Sequence, residues 1–260
     1  MDKERISPLY KFIKWLVRLV YPKTEIVGSK NLPEDPCVIV GNHTQMNGPI
    51  VSELYIPRRH YTWCASEMME LREVPAYAYR DFWSGKPTWC RWFYRLLSYV
   101  IAPVSVCVFN NAETIPVYHD TRIIGTFRRS VSALTDGADL VIFPEHGVPC
   151  NSILYDFQDK FIDVARYYGK KTDKALSFVP MYVAPALKAA YLGTPIRFDP
   201  NAPVADERRR IKEYLMTEIT AMAVALPEHT VVPYLNLPRS AYPKNTNCEE
   251  PAYEAEEARR

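Results

Sequence analysis

One pattern constrains the fold of this chain more than any other: an apolar strand that runs straight into a polar loop and then a helix. Cys37-Val38-Ile39-Val40 leads into Gly41-Asn42-His43-Thr44-Gln45-Met46-Asn47-Gly48-Pro49, and residues 50–55 then read as a short helix. Leu140-Val141-Ile142-Phe143 leads in the same way into Pro144-Glu145-His146-Gly147. Unbroken apolar runs of this length suit strands buried on both faces, as in parallel sheets. Further strands are expected over 61–65, 115–118, 176–183 and 195–198. Helical spacing marks 122–134, 157–168 and 204–226. Strands alternating with helices predict an α/β fold, with a mixed, mainly parallel sheet flanked by helices.

The ends of the chain read differently. Ser7-Pro8 is a helix start. From there Leu9, Phe12, Ile13, Leu16, Val17 and Val20 recur at helical spacing, with Lys11, Lys14 and Arg18 on another side. Such a helix suits a membrane interface with anionic headgroups, or equally a helix packed on its own domain with its basic side in water. Residues 96–109 carry no charge but are too few to span a bilayer easily and contain Pro103. A buried core helix is expected there, with a buried hairpin or an interfacial patch as alternatives. No linker-like stretch interrupts the middle. The reading is an N-terminal amphipathic membrane-association helix (1–22), one α/β domain (23–236) and a disordered polar tail (237–260).

Charge and cysteines narrow the class. A net charge of only +2 implies no broad nucleic-acid footprint. The six cysteines form no C-x-x-C pair, so a zinc knuckle is not expected, and a reduced, cytosolic setting follows. The first residues lack the features of a signal peptide.

Ligands of open α/β sheets collect beyond the carboxyl ends of the strands. His43 stands at one such end, and Glu145 and His146 at another. Two parallel strands would set both loops on one edge, facing one pocket. A neutral imidazole there can take a proton from an alcohol attacking an acyl carbonyl. Gln45 and Asn47 are polar members of the same loop. The amides at Gly48 to Ile50, at a helix start, suit an anion, although Pro49 supplies no donor. Arg122, after the strand at 115–118, is a cation for a phosphate. This chemistry requires no metal and no cofactor.

Taken together, Gly41-Asn42-His43, Ile115-Pro116-Val117-Tyr118 with Arg122, Phe143-Pro144-Glu145 and Phe178-Val179-Pro180 occur in the order of the four blocks of the glycerophospholipid acyltransferase family. Over roughly residues 25–200 the chain resembles bacterial 1-acylglycerol-3-phosphate acyltransferases. The resemblance implies an acyl-CoA or acyl-carrier-protein donor, a lysophospholipid-like acceptor, and a location on the cytoplasmic face of a membrane. It makes His43 the general base, with Asn47 and Glu145 as its catalytic companions and Arg122, His146, Gln45 and Gly48 as substrate-binding residues. The blocks also depart from the family. Its first block is Asn-His-x4-Asp, with the aspartate orienting the histidine. Here Gly48 occupies the aspartate position and Asn47 stands one residue short. Glu53 and Glu145 are the candidate carboxylates to replace it. The third block reads Phe-Pro-Glu-His-Gly-Val, without the family's Thr and Arg, so a different acceptor is expected. The alternatives are a non-catalytic lipid- or acyl-binding protein of the same fold, and a thioester or lipid hydrolase, for which no G-x-S-x-G elbow exists.

Overall fold

The computed structural model describes residues 7–83 and 87–246. Its elements are α1 (Pro8–Val20), β1 (Glu25–Val27), β2 (Cys37–Gly41), α2 (Asn47–Tyr55), β3 (His60–Ala65), α3 (Val74–Ala78), α4 (Arg91–Asn111), β4 (Thr114–Val117), α5 (Ile123–Thr135), β5 (Asp139–Ile142), β6 (Glu145–Pro149), β7 (Tyr155–Phe157), α6 (Asp163–Thr172), β8 (Ser177–Ala184), β9 (Ala189–Leu192), β10 (Ile196–Arg197) and α7 (Val204–Ala225). They fall into two compact units. One holds the N-terminal residues up to 22 together with 62–129, the other 23–61 together with the residues from 130 on.

In the second unit the strand order is β1-β9-β8-β2-β5, with β10 added to β8. β2 pairs parallel with both β8 and β5, and β1 pairs parallel with β9. The β8–β9 and β8–β10 pairs are antiparallel. This is the mixed, mainly parallel sheet that the apolar runs predict. Every residue of β2 is buried, which is why its five positions show no polar alternation. α7 packs on β8 through Ile211, Leu215, Ile219 and Ala223, spaced four apart on one helical stripe. Two antiparallel strands, β6 and β7, form a separate hairpin directly after β5. A helix was expected from 157. Residues 155–157 instead pair with β6, and α6 begins only at Asp163. Tertiary pairing overrides the local helical spacing there.

In the first unit β3 and β4 are parallel. α4 is one continuous helix through Pro103, packed on α3 around Val74, Ala78 and Ala102. It is not the buried core helix expected over 96–109. Trp92 is 69% exposed and Tyr99 68%, because small residues rather than large ones make the packing stripe.

Part of the expected tail is ordered. Residues 237–246 fold onto the second unit, and Asn245 is fully buried. Residues 247–260 of the expected tail lie outside the described residues.

Candidate functional site

The parallel β2–β5 pair places the His43 loop and Glu145 side by side at the carboxyl ends of adjacent strands. The β2 end is held by Asn42, which is buried. Its Nδ2 donates to the Val183 carbonyl (3.1 Å) and its Oδ1 accepts from the Val183 N–H (2.7 Å). The amide side chain thus extends the β2–β8 ladder after the β2 backbone has turned away. Thr44 (φ 45°) and Gln45 (φ 56°) follow in the left-handed region. Two successive non-glycine residues there, one of them β-branched, are held only by surrounding contacts and mark a strained loop.

Glu145 is one of those contacts. Its Oε2 accepts from the His43 backbone N–H at 2.5 Å, and its Oε1 accepts from the Tyr155 N–H at 2.9 Å. The carboxylate therefore clamps the His43 backbone to the β6–β7 hairpin. It does not orient the imidazole, as a catalytic companion would. Among the described residues, the buried His43 Nδ1 has no hydrogen-bond partner, and the same is true of the neighbouring Thr44 Oγ1. The aspartate role that the resemblance leaves open is thus unfilled at Nδ1. Burial lowers the His43 pKa to about 4, with a smaller opposing contribution from the Gln45 backbone. Burial also raises the Glu145 pKa to about 7, against the pull of its two N–H donors. At neutral pH the imidazole is uncharged.

The His43 ring lies edge-on between two aromatic rings, Phe143 at 5.4 Å and Tyr234 at 5.8 Å. Tyr234 belongs to a C-terminal loop, residues 231–243, that covers the site. The Val231 N–H donates to the Pro243 carbonyl, closing the loop at its base. Gln45 Nε2 donates to the Leu235 carbonyl (3.2 Å) and to the Tyr242 hydroxyl (2.9 Å). Both flanks are anchored. Before the loop, His229 Nδ1–H donates to the Pro227 carbonyl, so its Nε2 accepts the Tyr182 O–H at 2.8 Å. After it, Asn245 accepts from the His229 N–H and donates to the carbonyls of Ala223 and Leu226. Sequence reading missed Tyr234, Tyr242 and Asn245. Their only local signals are prolines 233, 238 and 243, which mark a loop but not what it covers.

The remaining expected site residues divide. Gln45 fastens the cover. Asn47 Nδ2 donates to the Thr44 carbonyl (2.8 Å), closing the loop on itself. The Gly48 amide is not open to an anion, because it donates to the His43 carbonyl, and the Ile50 amide donates to the Met46 carbonyl. A Cβ on Gly48 would stand 2.7 Å from the Phe143 ring and 2.8 and 2.9 Å from the His43 and Asn42 carbonyl oxygens. That crowding leaves no room for a side chain, aspartate included. His146 points away from Glu145 along β6, as alternation dictates. It pairs with Asp156 (3.2 Å), which also binds Lys212 (2.7 Å), beside a cleft of about 420 Å³ whose lining does not include His43. Arg122 belongs to the first unit. It is exposed, paired with Asp120 (2.9 Å) and stacked on Tyr118 (4.4 Å). Among the described residues no group of three or more His, Cys, Asp and Glu side chains is placed to hold a metal.

No protein-family model matches the chain, and no curated protein matches it. Among solved structures it is similar to the 1-acyl-sn-glycerophosphate (LPA) acyltransferase PlsC from Thermotoga maritima. The identity is 14%, the TM-score 0.47, and the alignment covers 84% of this chain and 80% of that one.

Proposed function

We propose that the protein transfers an acyl group from acyl-CoA or acyl-carrier protein to the hydroxyl of a lysophospholipid or similar glycerol-phosphate-like acceptor, at the cytoplasmic face of a membrane, with His43 as general base. The observation that carries this reading is an uncharged histidine at the end of a central parallel strand, held by its backbone and roofed by aromatic rings. The four ordered sequence blocks support the same chemistry. His43 accepts the acceptor's hydroxyl proton as that oxygen bonds to the thioester carbonyl carbon. The C–S bond then breaks, and the departing thiolate takes the proton from the imidazolium. His43 is half-buried, and the loop 231–243 beside it bounds the acceptor's approach.

Without a carboxylate on Nδ1 the imidazolium is poorly stabilised, which slows the base. That observation favours a second reading, a lipid- or acyl-binding protein of this fold that has lost turnover. One experiment separates the two. Thioester donors of both carrier types are offered with lysophosphatidate and other lysolipids, and His43→Ala is compared with wild type. The first reading expects transfer that drops 10²–10⁴-fold in the variant. Binding of acyl-CoA without turnover by the wild type would support the second. A His43→Ala protein as active as wild type would sink the proposed mechanism.

A further inference from the structure

α4 is inside-out for a helix in water. Its buried positions are Ser98, Ala102 and Ser105, one stripe at helical spacing. Ser105 Oγ donates to the Met68 carbonyl (3.0 Å), and Asn110 Nδ2 donates to the Met69 carbonyl (3.1 Å). A row of its large apolar and aromatic residues, Trp92, Leu96, Tyr99 and Val100, faces outward, while Ile101 and Val106 pack against the α3 core. An aqueous helix buries the reverse set. Scattered exposed apolar residues are ordinary, but a contiguous row along a helix marks an interaction surface.

α1 has the same character and belongs to the same unit. Only Tyr10 is buried, while Phe12, Trp15 and Leu19 are exposed. The start of α1 meets the end of α4, where the Ser7 N–H donates to Asn111 Oδ1 (2.7 Å). Charge then selects the occupant. The two helices contain Lys11, Lys14, Arg18, Arg91 and Arg95, and neither contains an aspartate or glutamate. Cations beside outward tryptophans and aliphatic residues match an anionic lipid surface, with headgroups near the cations and acyl chains against the apolar row.

We propose that α4, together with α1, seats the protein on anionic bilayers by lying in the plane of the interface. At 21 residues α4 is about 31 Å long, enough to cross the hydrocarbon. Its packing stripe argues against crossing. The stripe is occupied along the helix by α3 and by the Met68 and Met69 carbonyls, in a segment that carries Glu67, Glu70 and Glu73. A spanning helix would carry those acids toward hydrocarbon. This inference deepens the membrane part of the proposed function and is independent of the acyl chemistry.

The test uses the full chain and extruded vesicles of phosphatidylcholine, with and without phosphatidylglycerol. Wild type is expected to co-sediment with the anionic vesicles and to be released by salt. The triple variant Trp92→Glu, Leu96→Glu, Val100→Glu is expected to bind at least tenfold more weakly with an unchanged circular dichroism spectrum, since all three positions are exposed. Phospholipids brominated near the headgroup should quench tryptophan fluorescence more than those brominated at the chain ends. His43→Ala should bind vesicles like wild type, so that loss of catalysis and loss of docking are read separately. Equal vesicle binding by the triple variant overturns the proposal. So do stronger quenching from the chain ends, and a wild-type protein that ignores vesicles but dimerises through α4.

Discussion

At Gly48 a single missing methyl group decides what the loop can contain. Its hypothetical Cβ meets two backbone carbonyl oxygens and the Phe143 ring, all under 3 Å. Carbonyl oxygens cannot swing aside as a flexible side chain would, so relief requires the backbone to move. Gly48→Ala is expected to lose roughly 1–3 kcal/mol of stability, the usual range for overpacking a tight site, as measured by urea denaturation. Gly48→Asp, which would supply a carboxylate five positions after His43, should be at least as destabilising and should not raise activity. A Gly48→Asp protein as stable as wild type would show that the loop has room to spare. Asn42 and Glu145 are the complementary cases, polar side chains consumed in holding backbone. This is why neither presents its polar atoms to the imidazole.

Among the elements, the C-terminal loop 231–243 carries the most consequence for the site. Its hold on the His43 loop includes two hydrogen bonds from Gln45 and the ring contact of Tyr234. Each hydrogen bond contributes about 0.5–1.5 kcal/mol net. Gln45→Ala is therefore expected to increase opening of the loop about tenfold, since 1.4 kcal/mol is a factor of ten. Two readouts check it: amide exchange over 231–243, and carbethoxylation of the His43 peptide followed by mass spectrometry. His229 serves as the internal control, being anchored outside the loop. If His43 reacts in wild type as fast as in the variant, the loop does not restrict access. β6 teaches a related lesson. Alternation along it sends Glu145 to the His43 backbone and His146 to Asp156, so two adjacent residues of one motif serve different places.

For the molecule as a whole, His43 and Glu145 make opposite contributions to the pH dependence of folding. The folded His43 pKa of about 4 lies below its ordinary 6.5, so its contribution is present above 6.5 and is lost as pH falls toward 4. The folded Glu145 pKa of about 7 lies above its ordinary 4.5, so its contribution is present below 4.5 and is lost as pH rises through 7. Between about 4.5 and 6.5 the two slopes offset each other. Glu145→Gln removes one of them. Relative to wild type, the variant should lose stability on acidification across that window, by at most about 1.4 kcal/mol per pH unit, and should lack the wild-type decline between about pH 6.5 and 7, where the Glu145 slope is no longer offset. Denaturant titrations at half-unit intervals from pH 4.5 to 8 test this, and parallel curves for the two proteins would refute it.

Much of this was legible in the residues alone. The apolar runs at 37–40, 140–143 and 176–183 specify buried strands because burial on both faces is a local demand, met position by position. Their parallel pairing then follows from the intervening helical segments, and with it the adjacency of His43 and Glu145. The four sequence blocks pointed to the same loops. The short strands β1, β6, β7 and β9 were not legible, since three to five residues carry too little pattern. What only the tertiary structure decided depends on residues far apart in the chain. Glu145 bonds a backbone amide 102 positions away, and Gln45 reaches a carbonyl 190 positions away. No spacing rule encodes such a meeting, because it depends on the path of the backbone between. The outward face of α4 is of the same kind. Apolar residues occur on every side of it, and which side is left uncovered is settled only by what the rest of its unit packs against.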